Sequence, residues 1–253
     1  MNHDSGVVQA AALLQQAWHA VALTGAGIST ASGIPDFRSP GSGLWEHANP
    51  FVVASIYGFR LHPKSFYDWV RPLAATTLAA EPNPAHDTLA QLEKRGMLAA
   101  VITQNIDGLH QKAGSREVLE LHGHIRESGC LRCHKTVPTD TLIESFLASG
   151  EVPRCKDCGG VMKPKVVLYG EQLPGDAVDA AMAHVQQADL MLVVGSSLET
   201  TPVSQFPRLT YDRGGRVVVV NLSPTYIDSV ADVVIRGDVA QVLPRILQAC
   251  AGG

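Results

Sequence analysis

Residues 21–38, VALTGAGISTASGIPDFR, constrain the fold more than any other stretch of this 253-residue chain. The apolar run 20–23 reads as a buried parallel strand. It breaks into a turn that holds Gly25 and Gly27 beside the small residues Ala26, Ser29 and Thr30. Glycine there lets backbone approach a ligand closely, and N–H groups at the start of a following helix favour phosphate. Two features of the hydride-transfer dinucleotide fingerprint are missing. Thr30 stands where its third glycine belongs, and no acidic residue closes a second strand about 20 residues on. The chain runs instead into a second small-residue turn and the cluster Asp36, Phe37, Arg38. The pattern implies a dinucleotide site with some other chemistry.

Composition supports a globular α/β enzyme, with 45% apolar and 17% charged residues. A net charge of −4 gives no reason to expect direct nucleic-acid binding, while leaving room for a locally basic peptide. The N-terminal stretch lacks the positive start of a secretory signal, and no apolar run approaches the roughly 20 residues of a membrane span. A soluble, cytoplasmic protein without membrane partners is the expectation.

Residues 6–18 read as an amphipathic helix ahead of the first strand. Between 40 and 84 aromatics and prolines crowd together (Trp45, Phe51, Tyr57, Phe59, Phe66, Tyr67, Trp69), which suggests short helices and loops over a cleft. Asn83 then caps a helix with Pro84 in its first turn, running to Arg95 and stopping at Gly96. Further strands are expected at 98–103, 118–121, near 166–168, at 190–194, 216–221 and 233–235. Helices are expected at 177–187 and at the C-terminus. This alternation implies a mostly parallel, doubly wound, Rossmann-like sheet that binds ligands at the carboxyl ends of its strands. The reading assigns residues 1–35, 76–124 and 166–253 to that domain. The insert 36–75 and a cysteine module, 125–165, form a smaller one. Lys163 and Lys165 read as solvated charges, and His110 and His124 as structural or surface residues.

Cys130 and Cys133 form one C-x-x-C, Cys155 and Cys158 another, while Cys250 stands apart. Two such pairs in a reducing compartment match a four-cysteine zinc site, with no ligand position left for water. One structural Zn2+ per chain is expected, holding together a module too small to fold alone. His134 is a further candidate that four thiolates make unnecessary.

The glycine turn, GIPDFR, QNID, a strand-end His-Gly and the four-cysteine insert occur in this order over residues 21–238. In this the chain resembles the sirtuin family, most closely its bacterial and archaeal deacetylase branch. The resemblance implies an NAD-dependent protein lysine deacylase that consumes NAD, with acylated-lysine proteins or peptides as partners. Carried over position by position, Gly25, Ala26, Gly27 and Ser29 would line the phosphate turn. Asp36, Phe37 and Arg38 would belong to the loop over the cofactor. Gln104 would meet the nicotinamide-side ribose, and Asn105, Ile106 and Asp107 would shape the nicotinamide pocket. Gly195, Ser196, Ser197, Asn221 and Asp238 would hold the phosphate and adenosine end. His122 matches the catalytic base, with Asn105 and Asp107 beside it. Val167, Leu168, Tyr169, Gly170 and Glu171 would clamp an extended peptide by backbone pairing.

An imidazole near pKa 6.5 suits removal of a ribose hydroxyl proton at neutral pH. Mono-ADP-ribosyl transfer shares the cofactor and the first bond cleavage. A non-catalytic NAD or zinc interaction module has no need of His122 or Asn105. Sirtuins that favour succinyl or malonyl lysine carry Tyr-x-x-Arg, whereas Val70 stands three residues after Tyr67 and Arg71 comes one step late. An arginine one position on points about 100° further round a helix. Neutral acyl groups are therefore expected to be preferred.

Overall fold

The computed structural model describes residues 3–39, 41, 43–46 and 48–251. Pro40, which opens the aromatic-rich stretch, and the Trp45 side chain lie outside the described residues. The strands are β1 (Ala20–Thr24), β2 (Ala100–Thr103), β3 (Val118–Glu120), β4 (Gly123–Cys130), β5 (Thr136–Pro138), β6 (Met162–Val166), β7 (Leu190–Val194), β8 (Arg216–Asn221) and β9 (Val233–Arg236). The helices are α1 (His3–Gln16), α2 (Pro50–Val53), α3 (Ile56–Leu61), α4 (Pro63–Ala79), α5 (Pro84–Lys94), α6 (Leu109–Lys112), α7 (Asp140–Ser149), α8 (Gly175–Gln187), α9 (Phe206–Asp212) and α10 (Val239–Ala249).

Six strands form one parallel sheet in the order β3-β2-β1-β7-β8-β9. The chain builds outward from β1 through β2 to β3, then crosses to β7 and builds the other way. That reversal leaves a crevice at the carboxyl ends of β1 and β7, where such sheets take ligands. The central strands are apolar but for Thr24 at the end of β1, and buried on both faces, as a parallel sheet requires. One face packs on α1, α5 and α10, and the other on α8 and α9. Each fully buried Val, Leu or Ile contributes roughly 1.5–3 kcal/mol.

Local chemistry sets the element ends. The Asp189 carboxylate accepts Trp18 N (3.0 Å) and His19 N (2.9 Å), turning the chain from α1 into β1 two residues before the expected helix end. Asn83 caps α5 as expected, its side chain accepting Ala85 N at 2.9 Å. The same amide donates to Ile28 O (2.8 Å) and Ser32 Oγ (2.9 Å), which ties α5 to the glycine turn.

Two expectations fail. The turn after β1 continues into two single 3₁₀ turns, Ala26–Ile28 and Thr30–Ser32, not into a helix. Residues 166–168 do not return to the parallel sheet. Val166 ends β6 in a separate antiparallel sheet, β5-β4-β6, and Tyr169 makes only an isolated bridge to Ser55. An apolar run too short to show a period cannot declare which sheet it joins.

The small sheet packs with α3, α4 and α7 around Phe59, Phe66, Tyr67 and Phe146. Both α4 and β4 are continuous, so the divisions read at 75/76 and 124/125 fall inside elements.

The turns after β1 and β7 meet backbone to backbone, with Gly27 N donating to Gly195 O at 2.9 Å. A Cβ on Gly27 would fall 2.7 Å from Gly195 O. Replacing Gly27 with Ala should therefore lower unfolding free energy by about 1–3 kcal/mol in a denaturant titration, the usual cost of overpacking.

Candidate active site

The crevice opens into a cleft of about 1120 Å³ that runs from the ends of β1, β7 and β8 to the space between α4, α7 and the small sheet. Every residue expected to meet dinucleotide, base or peptide lines this one cleft. Gly25, Ala26, Gly27 and Ser29 form its floor with Gly195, Ser196 and Ser197. The N–H groups of Gly25, Gly27, Ile28 and Ser29 are bonded within the protein. The glycines thus serve first to let two turns touch.

Beneath this floor lies a polar network. Ser29 Oγ donates to Asp107 Oδ2 at 2.7 Å and accepts from Asn105 Nδ2 at 3.0 Å. Asp107 Oδ1 accepts Leu109 N at 2.9 Å, so the carboxylate also sets the turn into α6. Asn105 N donates to Thr103 Oγ1 (3.0 Å), which also accepts from Thr24 Oγ1 (2.8 Å). With its proton so committed, Thr24 Oγ1 accepts from His110 Nε2 at 2.9 Å, which assigns the ring proton to that nitrogen. His110 is buried and its pKa falls to about 3, through desolvation first and the neighbouring His86 second. His86, 3.5 Å from Ser29 Oγ, is likewise held low by burial, against the pull of Asp107. The sequence reading did not single out His86. Its one signal was its place three residues after the Asn83 cap.

His122 follows β3, and its Nδ1 lies 3.0 Å from Gln104 O. A carbonyl only accepts, so Nδ1 carries the proton and Nε2 keeps its lone pair. Burial lowers the His122 pKa, and the Gln104 bond raises it in part. The ring is therefore neutral at pH 7. Gln104 Nε2 donates to Ser196 Oγ at 2.9 Å, joining the two sides of the crevice.

Other predicted residues are committed locally. Asp36 accepts Arg38 N and Ser39 N, and Arg38 pairs with Glu199 at 2.8 Å, which ties residues 36–38 to the loop after β7. Phe37 and Ile106 line the same cleft. Asn221 Nδ2 donates to Ser196 O and Ser223 O. Asp238 caps α10 by accepting Ala240 N at 2.9 Å.

Segment 167–171 is braced on several sides. Val167 N donates to His122 O, Tyr169 N to Ala54 O, and Ile56 N to Tyr169 O. Leu168 N donates to the Glu171 carboxylate at 2.9 Å. Lys163 is not solvated as expected: it is buried and paired with Glu171 at 2.8 Å. Lys165 is exposed and paired with Glu127. Two residues apart, both would share one face of a regular strand; the β4–β6 register shifts between Gly123 and Ser128, so Lys163 pairs with Gly129 while Lys165 falls at the irregularity.

The Sγ atoms of Cys130, Cys133, Cys155 and Cys158 all lie within 4.8 Å of one another, and His134 is not in the group. Cys130–Cys158 is 3.5 Å and Cys133–Cys155 is 3.7 Å. Four thiolates around zinc at about 2.3 Å give S···S edges of about 3.8 Å, so the set fits that ion. Arg132 N, Cys133 N and Gly160 N point at the sulfurs, a hydrogen-bond shell suited to thiolate charge. The site would hold the end of β4 against the 155–158 turn.

The sequence model of the Sir2 family matches residues 25–202. An Archaeoglobus fulgidus protein named NAD-dependent protein deacylase 2 is 46% identical over 97% of this chain and 96% of its own. A structure described under the mechanism and regulation of Sir2 enzymes superposes with a TM-score of 0.93 at 44% identity, covering 98% of each chain. A Sir2 structure with p53 peptide and NAD+ gives a TM-score of 0.87 at 42% identity, covering 96% of this chain and 97% of that one.

Removing zinc with a chelator should unfold the small sheet and leave the parallel sheet intact. Limited proteolysis should then cut within residues 130–160, while the large-domain fragment keeps its far-UV signal. An unchanged cleavage pattern in metal-free protein would contradict the structural role.

Proposed function

The chain belongs to the Sir2 family, and from that premise we propose that its cleft deacylates protein lysines with His122 as the base. The enzyme is an NAD-dependent protein deacylase whose partners are acylated-lysine peptides or proteins. NAD, when bound, supplies a ribose carbon that becomes electrophilic as nicotinamide leaves, and the acyl group passes to ADP-ribose.

The observation that carries this reading is the His122 ring. Its Nδ1 is spent on Gln104 O, which leaves Nε2 as an unprotonated acceptor in the cleft. A neutral imidazole there draws a proton from a ribose hydroxyl. Asn105 and Asp107, fixed through Ser29, orient the carboxamide of nicotinamide. The loop with Phe37 excludes water above the reacting sugar. Gly25–Gly27 and Gly195–Ser197 carry the phosphates, and Asn221 and Asp238 face the adenosine end. Residues 167–171 receive the peptide. The stretches 1–35, 76–124 and 166–253 bind NAD, while 36–75 and 125–165 close over it.

The acyl end of the cleft is apolar. Tyr67 OH donates to Met162 O at 2.6 Å, and Trp69, Val70 and Leu73 line the wall near Ile106. Burial raises the Tyr67 pKa, so the hydroxyl stays neutral. Arg71 turns away and donates to Leu147 O and Ala148 O, capping the C-terminal end of α7. A carboxylate entering this pocket meets no lysine or arginine among the described residues of that wall and loses its hydration.

Nicotinamide release from NAD plus an acetylated peptide tests the reading. His122→Ala should lose about 10²–10⁴-fold in turnover, the usual worth of a positioned base. Its NAD affinity should stay within about tenfold. Because the base must be neutral and its pKa is lowered, activity should fall only as pH drops through a value below 6.5. An acid limb above pH 7 would refute that assignment. On one peptide, acetyl should be removed at least about tenfold faster than succinyl, the effect of about 1.4 kcal/mol.

A further inference from the structure

Among the described residues, Lys163 is the one lysine, arginine, aspartate or glutamate that is buried, at 8% exposure. Its ammonium meets three oxygens, one for each proton: Val166 O at 2.7 Å, Glu171 Oε2 at 2.8 Å and Pro164 O at 3.3 Å. The same Glu171 oxygen accepts Leu168 N at 2.9 Å, and Glu171 N donates back to Leu168 O at 2.9 Å. One carboxylate thus joins the end of β6 to the turn that follows it.

Burying a charge is costly, and a fully partnered buried ion pair gives little net stability over an apolar pair of the same size. What it provides is a fixed geometry. Segment 167–171 is held at its first residue by His122 O and at Tyr169 by Ala54 and Ile56, all through backbone. Leu168 packs in the cluster of Phe66, Tyr67 and Phe146, and the Tyr169 ring lies 5.3 Å from that of Phe51. Lys163 and Glu171 supply the ionic anchor. Gly170, at φ +88°, lets the chain reverse so that the carboxylate reaches inward.

We propose that Lys163 and Glu171 are positioning residues for the substrate peptide, a buried clasp that sets how segment 167–171 presents its backbone to an acyl-lysine chain. This rests on the reading of that segment as the peptide edge. Neither side chain takes part in the chemistry. The phosphate-side contacts lie at the ends of β1, β7 and β8, away from the clasp, and the tie from segment 167–171 to His122 is the backbone bond Val167 N to His122 O, which does not involve the clasp side chains. Its loss therefore acts on peptide binding and spares the dinucleotide.

Steady-state kinetics of the full chain with an acetylated peptide and NAD test this. Lys163→Met and Glu171→Gln should each raise the peptide KM about tenfold, with kcat and the NAD KM within about twofold. Lys163→Arg, which keeps the charge, should stay within about threefold of wild type. The double variant Lys163→Met, Glu171→Gln leaves no unpaired buried charge, so it reports on positioning even where a single variant folds poorly. It should show the same peptide KM as the worse single variant, since both act through one contact. A wild-type peptide KM in the double variant overturns the clasp, as do equal losses in peptide KM, NAD KM and kcat. Hydrogen exchange on the wild-type chain tests the underlying reading separately. Amides 167–171 should gain protection when acetylated peptide is added, whatever the variants do.

Discussion

Two turns of this protein touch where side chains are not allowed. Gly27 donates to Gly195 O, Gly25 N reaches Val194 O, and a Cβ on Gly195 would fall 2.4 Å from Ile28 N. Gly195 also adopts φ +58°, a conformation that favours glycine. This contact sits where the sheet reverses its direction of growth, so it fixes the separation of β1 and β7 at their carboxyl ends. The crevice, the Gln104–Ser196 bridge and the placement of Asn221 inherit that separation.

The reacting end is governed by a different constraint. Polar groups under the floor bond to one another, His110 Nδ1 excepted, and burial keeps their imidazoles neutral. Thr24, Thr103 and His110 hold Asn105 from below, while Ser29 couples Asn105 to Asp107. The network has a pH signature. Unfolded histidine takes a proton near pH 6.5, whereas His110 in the folded chain resists down to about 3. The unfolded state then binds more protons in that window. Stability is lost as pH falls through it.

The small domain solves a separate problem. Its sheet has three strands, of which β5 spans only three residues, and four sulfurs gather at one end of it. At the other end, Phe66, Tyr67 and Phe146 pack against Val166 and Leu168, at the start of segment 167–171. The module thereby connects a metal-fitting knot to the wall of the cleft. Arg71 contributes by capping α7, with its guanidinium on Leu147 O and Ala148 O, while Trp69, Val70 and Leu73 line the cleft.

Periodic and paired features were legible without coordinates. The apolar strands, the Asn83-Pro84 helix start, the C-x-x-C pairs and the strand-end polar runs report local backbone or ligand chemistry, which neighbouring residues alone determine. Position-by-position likeness to the sirtuins then selected residues that all line one cleft. Tertiary structure decided what depends on distant partners. Residues 166–168 were assigned to the wrong sheet, because a three-residue apolar run fits either. Lys163 read as solvated, because only the pairing of β6 turns its ammonium inward to Glu171, eight residues on. His86 and His110 gained their neutral, buried state from elements far apart in the chain. Sequence determines which groups are available and how the nearby backbone bends. Burial and long-range pairing decide which of those groups are charged, which are free, and which face the cleft.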